Sequence, residues 1–143
     1  MPDGLASQLG PTPHFTWTEL GAEKGSPESV REALTQLCVH VLEPLRAALG
    51  QALYVSSGYR TPEHNADVGG AKRSQHTLGE AVDVWTKGLS SRALAAKLLA
   101  SGVPFDQVIW YGGDDEHVHV SWRVDPRGQV LRKWGTGYRA QRP

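Results

Sequence analysis

Val30, Leu34, Leu37, Val41, Leu42 and Leu45 recur at three- and four-residue steps, so the stretch from Ser26 to Gly50 reads as an amphipathic helix with one apolar stripe. Ser26-Pro27-Glu28 supplies its start: a capping serine, a first-turn proline, and an acid that complements the helix dipole. Gly50 is a natural stop, and Pro44 predicts a kink or division near Val41 because proline denies the ladder a donor. Ala33 and Cys38 lie on the stripe, which makes Cys38 core filler rather than a nucleophile. His40 falls off it and is expected to be solvated.

Beyond the helix the period changes. Ala52 to Ser56 and Glu80 to Trp85 read as strands, and Phe105 to Tyr111 is a short apolar run bounded by Gly112-Gly113, as expected of a buried strand. His117 to Trp122 is a further strand. Ser90-Ser91 caps a short helix running through Leu99, with Leu94, Leu98 and Leu99 as its apolar side and Gly102 as its end. Residues 1 to 25, rich in Pro, Gly, Ser and Thr, form an irregular lead-in arm anchored by Phe15, Trp17 and Leu20, with no role for His14. From Arg123 the chain carries six basic residues against one acid, Asp125. It reads as a solvated tail, residues 123 to 143, partly docked through Val130, Leu131 and Trp134, with an anionic polymer as the alternative use of its charge.

Composition narrows the class. A chain of 143 residues, 39% hydrophobic, is long enough for a single domain with one core. Fifteen Lys and Arg balance fifteen Asp and Glu, so no global charge points to nucleic acid or an anionic membrane. No apolar run approaches membrane-spanning length, so no stable membrane insertion is expected. The single cysteine excludes an internal disulfide and a cysteine-rich zinc site, and suits a reducing cytoplasm. The start, Met1-Pro2-Asp3-Gly4, has no secretory pattern, so the expectation is a cytoplasmic protein in the producing cell.

The candidate chemistry lies in two polar knots. Ser74-Gln75-His76-Thr77-Leu78-Gly79-Glu80-Ala81-Val82-Asp83 holds a histidine and, seven positions on, an aspartate. Asp114-Asp115-Glu116-His117-Val118-His119 follows, and in a strand positions 117 and 119 share a face. Imidazole and carboxylate are the ordinary ligands of an open catalytic zinc, so His76, Asp83 and one of the two later histidines form the candidate site. Taken alone, a His and an Asp seven apart are equally explained by a capped turn with a hydrogen-bonded Asp. Arg60, on the glycine-hinged turn Ser57-Gly58-Tyr59-Arg60-Thr61-Pro62, is placed to hold a carboxylate or to form a structural ion pair. His64 and Asn65 are expected in a loop. The stretch from Gly69 to Ser74 lacks the glycine spacing of a phosphate loop.

Those motifs together, Ser57 to Pro62, Ser74 to Asp83 and Glu116-His117-Val118-His119, resemble the zinc D-Ala-D-Ala carboxypeptidases, within the group that also holds lysostaphin-type peptidases and the hedgehog signalling domain. The likeness runs from about Ser26 to Leu131 and is greatest to compact bacterial and phage members. It implies an α+β fold with a small antiparallel sheet carrying one zinc ion and backed by helices; a monomer is expected. It also implies ligands at His76, Asp83 and His119, an oxyanion-side role for His117, a general base at Glu116, and substrate or oxyanion binding by Arg60. Ser74 matches the serine of the family's Ser-x-His and is expected to touch substrate or support the loop. Strict strand alternation would put Glu116 on the face opposite His117 and His119, so either the chain bends there or Asp115 is the rival base.

The resemblance implies hydrolysis of an amide bond in peptidoglycan peptides, by a D-Ala-D-Ala carboxypeptidase or by a murein endopeptidase cutting L-Ala–D-Glu or a cross-bridge. Without a secretory pattern, the expectation is a phage-type lysis enzyme (an endolysin), or a virion component reaching the wall after release. A non-catalytic zinc-containing recognition module and a structural tail component with a vestigial site are the alternatives.

Overall fold

A computed structural model of the chain describes residues 9–23, 25–69 and 74–143. The beginning of the lead-in arm and the middle of the stretch rejected as a phosphate loop lie outside the described residues. The apolar stripe folds as expected. Helix α1 (Glu28–Leu37) continues through a π-helical turn (Cys38–Leu42) into α2 (Glu43–Leu49), and Gly50 closes it with a left-handed residue at φ 68°. Val30, Leu34, Leu37, Cys38, Val41, Leu42 and Leu45 are all buried. The widened turn is the division that Pro44 predicts. Pro44 lies in the first turn of α2 and gives the ladder no N–H, while the Glu43 N–H reaches back five residues to Cys38 O. Burial pushes the Cys38 thiol up to about 12, as befits filler.

Two local expectations change. Pro27, not Ser26, occupies the cap position of α1, and no side chain caps it. The first carbonyl to enter the helix ladder is that of Pro27, which accepts from the Val30 and Arg31 N–H, and Pro27 is the last extended residue. His40 is half-buried rather than solvated, stacked on Trp122 with ring centroids 4.4 Å apart.

The arm is anchored as read. Phe15 and Leu20 are buried, and Trp17 packs on the core beneath the Arg31 guanidinium, 4.0 Å from its ring. His14 ties the arm to α2, with Nδ1 at 2.7 Å from Glu43 Oε1 and its backbone N–H donating to Oε2.

Six strands, β1 (Tyr54–Ser57), β2 (Ala81–Trp85), β3 (Gln107–Trp110), β4 (Val118–Ser121), β5 (Gln129–Trp134) and β6 (Gly137–Ala140), form one sheet in the order β1-β2-β4-β3-β5-β6. All pairs are antiparallel except β3 with β5. Because β4 runs against β3, a short return lays the next strand along β3 in the same direction. The region read as a solvated tail is therefore the sheet's far edge. Its hairpin turns at Gly135, with φ 54°, and Arg132 lies over the rings of Trp110 and Trp134 at 4.9 and 3.8 Å.

Strand alternation separates core from site. Val82 and Val84 of β2, Val108 and Trp110 of β3, and Val118 and Val120 of β4 enter the core cluster with the α1–α2 stripe and with Leu94 and Leu98 of α4 (Ser91–Ser101). Asp83, Ile109 and His119, in register with one another, take the opposite face. Ser90 caps α4 and left-handed Gly102 ends it, both as expected, with Ser101 rather than Leu99 as the last helical residue. Between β1 and β2 lies α3 (Pro62–Asp67), where a loop was expected; Thr61 caps it by accepting from the His64 N–H. Among the described residues no helix is long and apolar enough to cross a membrane.

Candidate metal centre

His76 stands on a single 3-10 turn (Gln75–Leu78). The Ser74 hydroxyl accepts from the His76 N–H at 3.2 Å, and Gly79 closes the turn at φ 75°. The imidazole is buried, and its Nδ1 lies 2.8 Å from the carbonyl of Gly58. A carbonyl only accepts, so Nδ1 carries the proton and Nε2 presents its lone pair. Nε2 lies 3.4 Å from Asp83 Oδ1, and His119 Nδ1 lies 3.4 Å from the same oxygen.

The three ligand atoms fall within 4.8 Å of one another. A spacing of 3.4 Å is long for a hydrogen bond. It matches the edge of a tetrahedron whose centre lies about 2.1 Å from each corner, the zinc–nitrogen and zinc–oxygen distance. Burial pushes His119 toward the neutral imidazole. Burial opposes ionisation of Asp83, but the imidazoles of His119 and His76 outweigh it and hold the carboxyl well below the usual range. Two imidazoles and a carboxylate make the donor set of a three-ligand zinc site, and the residues fit that ion.

Arg60 completes the inner group. Its Nη2 lies 3.7 Å from Asp83 Oδ2, Nε donates to Ser57 Oγ, and Nη1 donates to Asn65 Oδ1. Asn65, on the helix that was expected as loop, is buried at 3% exposure and so braces the guanidinium from behind. Arg60, Ser74, His76, Asp83, Tyr111 and His119 line one cavity of about 460 Å³, with Arg127, Leu131 and Tyr138 on its β5–β6 side.

The second knot is placed differently from the first. Glu116 is exposed in the loop ahead of β4, which begins only at Val118, so strand alternation does not govern its direction. Neither Glu116 nor His117 lines the cavity. The His117 ring packs on Tyr111, centroids 4.3 Å apart, with Nδ1 3.4 Å from Asp115 Oδ1. Tyr111 is the side chain that reaches the cavity. Burial first, then the charge of Asp83, raises its pKa, so the phenol keeps its proton near neutrality. Its position was available in the sequence: it lies two residues beyond Ile109, on the cavity side of β3.

Sequence reasoning also missed a buried carboxylate. Asp106, fully buried, takes both Arg127 Nε and Nη2 at 3.0 and 2.8 Å, and Gln75 Nε2 at 3.0 Å. Gln75 precedes His76 and also donates to Glu80 Oε1, so the ligand-bearing turn is fastened to the base of β5.

Gly58 holds the other side. A Cβ there would lie 2.2 Å from Leu20 O, so only glycine lets the two backbones meet while its carbonyl orients His76. Gly58→Ala is expected to weaken zinc affinity about 10–100-fold, the usual cost of losing a ligand's supporting partner. Competition with a chromophoric chelator checks this; unchanged affinity would show that Gly58 O does not orient the ligand.

A sheet backed by helices, offering two histidines and an aspartate inside an open cavity beside an arginine, is the build of a mononuclear metallohydrolase. Residues 13–121 match the family model described as Peptidase M15, and the chain belongs to that family. It is also similar to the zinc D-Ala-D-Ala carboxypeptidase of Streptomyces albus G, 32% identical over 83 residues. That match takes in 56% of this chain but only 32% of the relative's length.

Proposed function

We propose that this chain is a zinc peptidase hydrolysing an amide bond in peptidoglycan peptides. The observation that carries this is the convergence of His76, Asp83 and His119 on one point of a cavity that also holds Arg60. Membership of the peptidase M15 family and the likeness to a zinc D-Ala-D-Ala carboxypeptidase support the substrate class. His76, Asp83 and His119 would hold a zinc ion, which would supply a water of pKa about 7 and polarise the scissile carbonyl. Glu116 accepts the proton of the attacking water on a carboxylate oxygen and delivers it to the departing nitrogen. It stands exposed in the loop ahead of β4, three residues before His119.

Arg60 and the protonated Tyr111 offer donors to the oxygen on which negative charge develops, with His117 holding the Tyr111 ring from behind. Arg60 also suits a free terminal carboxylate, which favours removal of a terminal D-Ala; an internal cut is the endopeptidase reading. Ser74 keeps the His76 turn in shape and faces substrate from the cavity wall.

Digestion of defined muropeptides by the zinc-loaded protein, read by mass spectrometry, tests this. Loss of one terminal alanine establishes a carboxypeptidase, and an internal cut an endopeptidase. Glu116→Gln is expected to lower kcat roughly 10²–10⁴-fold, as for loss of a general base, while Asp115→Asn stays within about tenfold. The reverse ranking would move the base to Asp115. No cut of any substrate by protein carrying one zinc would leave a recognition module.

A further inference from the structure

Charge is segregated along this electrically neutral chain. Residues 126 to 143 hold five of its fifteen Lys and Arg (Arg127, Arg132, Lys133, Arg139 and Arg142) and none of its fifteen Asp and Glu, so the preceding part is net negative by five. The structure turns this segment into a hairpin rather than a loose tail. Its β6 strand is exposed throughout and forms the sheet's free edge. It extends beyond residues 13–121, the part matched by the family model.

Three features make it more than a solvated edge. First, it is one wall of the cavity that holds His76, Asp83 and His119, through Arg127, Leu131 and Tyr138. Second, its position relative to those ligands is fixed. Arg127 is clamped on buried Asp106, which also holds Gln75, the neighbour of His76. Third, its cations rest on aromatic platforms on both sides of the edge: Lys133 over Tyr138 at 4.3 Å on the cavity face, and Arg132 and Arg139 over Trp134 at 3.8 and 5.2 Å on the opposite face, which Trp110 shares. Cations held over ring faces lose less freedom when they meet an anion than free surface side chains do.

We propose that the β5–β6 hairpin is a docking wall for the polymer carrying the scissile bond, its ordered cations meeting that polymer's carboxylates beyond the point of cleavage. This rests on the peptidoglycan reading above, since muropeptides carry free carboxylates on a long insoluble polymer. The acidic remainder of the chain repels the same polymer, so the hairpin decides which face approaches it.

The test is co-sedimentation of the zinc-loaded full chain with purified insoluble peptidoglycan, over minutes in the cold, with hydrolysis of a short soluble muropeptide measured in parallel. Binding is expected to weaken steeply between about 0.01 M and 1 M salt, as the screening length falls from roughly 30 to 3 Å. The double variant Lys133→Glu with Arg139→Glu, one ordered cation from each face of the hairpin, is expected to lose at least about tenfold in affinity. A control with the same charge change elsewhere, Lys87→Glu with Lys97→Glu, should bind as wild type. Equal losses in the two doubles, or binding indifferent to salt, would overturn the proposal. So would a hairpin variant that keeps wall binding and loses only binding to a DNA duplex, which would make the hairpin a phosphate reader. Hairpin-dependent binding without any hydrolysis would sink the peptidase reading and leave the docking wall; hydrolysis with hairpin-independent binding would sink the docking wall alone.

Discussion

Replacing Asp83 by alanine is expected to leave a folded protein that neither retains zinc through purification nor cleaves muropeptides. Asp83 is the hub of the site. One oxygen lies 3.4 Å from both imidazoles and the other 3.7 Å from Arg60. Its removal takes away the only anionic ligand and leaves two neutral imidazoles beside a guanidinium, an arrangement that repels a dication. Loss of an indirect supporting group already costs about 10–100-fold in affinity, so a direct ligand is expected to cost more than about 100-fold. Metal content by elemental mass spectrometry and turnover should fall together. Asp83→Asn, which keeps the shape and removes the charge, separates the two contributions. A variant that kept stoichiometric zinc and wild-type turnover would rule out Asp83 as a ligand.

That Asp83 and His119 meet on one face was legible from sequence because strand alternation is strict, while the choice of His119 over His117 came from the family resemblance. Val82 and Val84 must enter the core, so Asp83 faces away from it, and the same rule turns His119 to the same side. The α1–α2 stripe was legible for the same reason, since a 3.6-residue period allows one buried face. The hairpin was not. Its strands lack an apolar alternation because Arg132, Lys133 and Arg139 place their charged heads over aromatic rings, at positions where Leu or Val is usual. Helix α3 is six residues long, too short for a stripe, although Thr61-Pro62-Glu63 carries a cap, a first-turn proline and an acid. The Asp106 clamp depends on pairings 21 and 31 residues apart, which no local pattern encodes.

The clamp leads to the second large effect. Asp106→Ala is expected to destabilise the fold by about 3 kcal/mol, because it removes the buried carboxylate that accepts from Gln75 Nε2 and the Ser121 hydroxyl, and frees Arg127 from its partner. The same carboxylate should set part of the acid limb of stability. Burial opposes its ionisation, but the paired hydrogen bonds from Arg127 prevail and hold it at about 2, against 3.8 as a free group. A folded pKa below the unfolded one means that the unfolded chain takes the proton first. The contribution, about 2 kcal/mol, is present above pH 3.8 and is lost as pH falls toward 2.

Urea titrations across that window should therefore show a shallower acid loss for Asp106→Ala than for wild type. Identical slopes would mean that the clamp carries no linkage. The substitution should also reach the metal. With Gln75 no longer tied to Asp106, the turn bearing His76 loses its fastening to the base of β5, so zinc affinity is expected to fall near neutral pH, where the variant remains folded. Wild-type zinc affinity in a destabilised Asp106→Ala protein would confine the clamp to fold stability and detach the hairpin from the geometry of the metal centre.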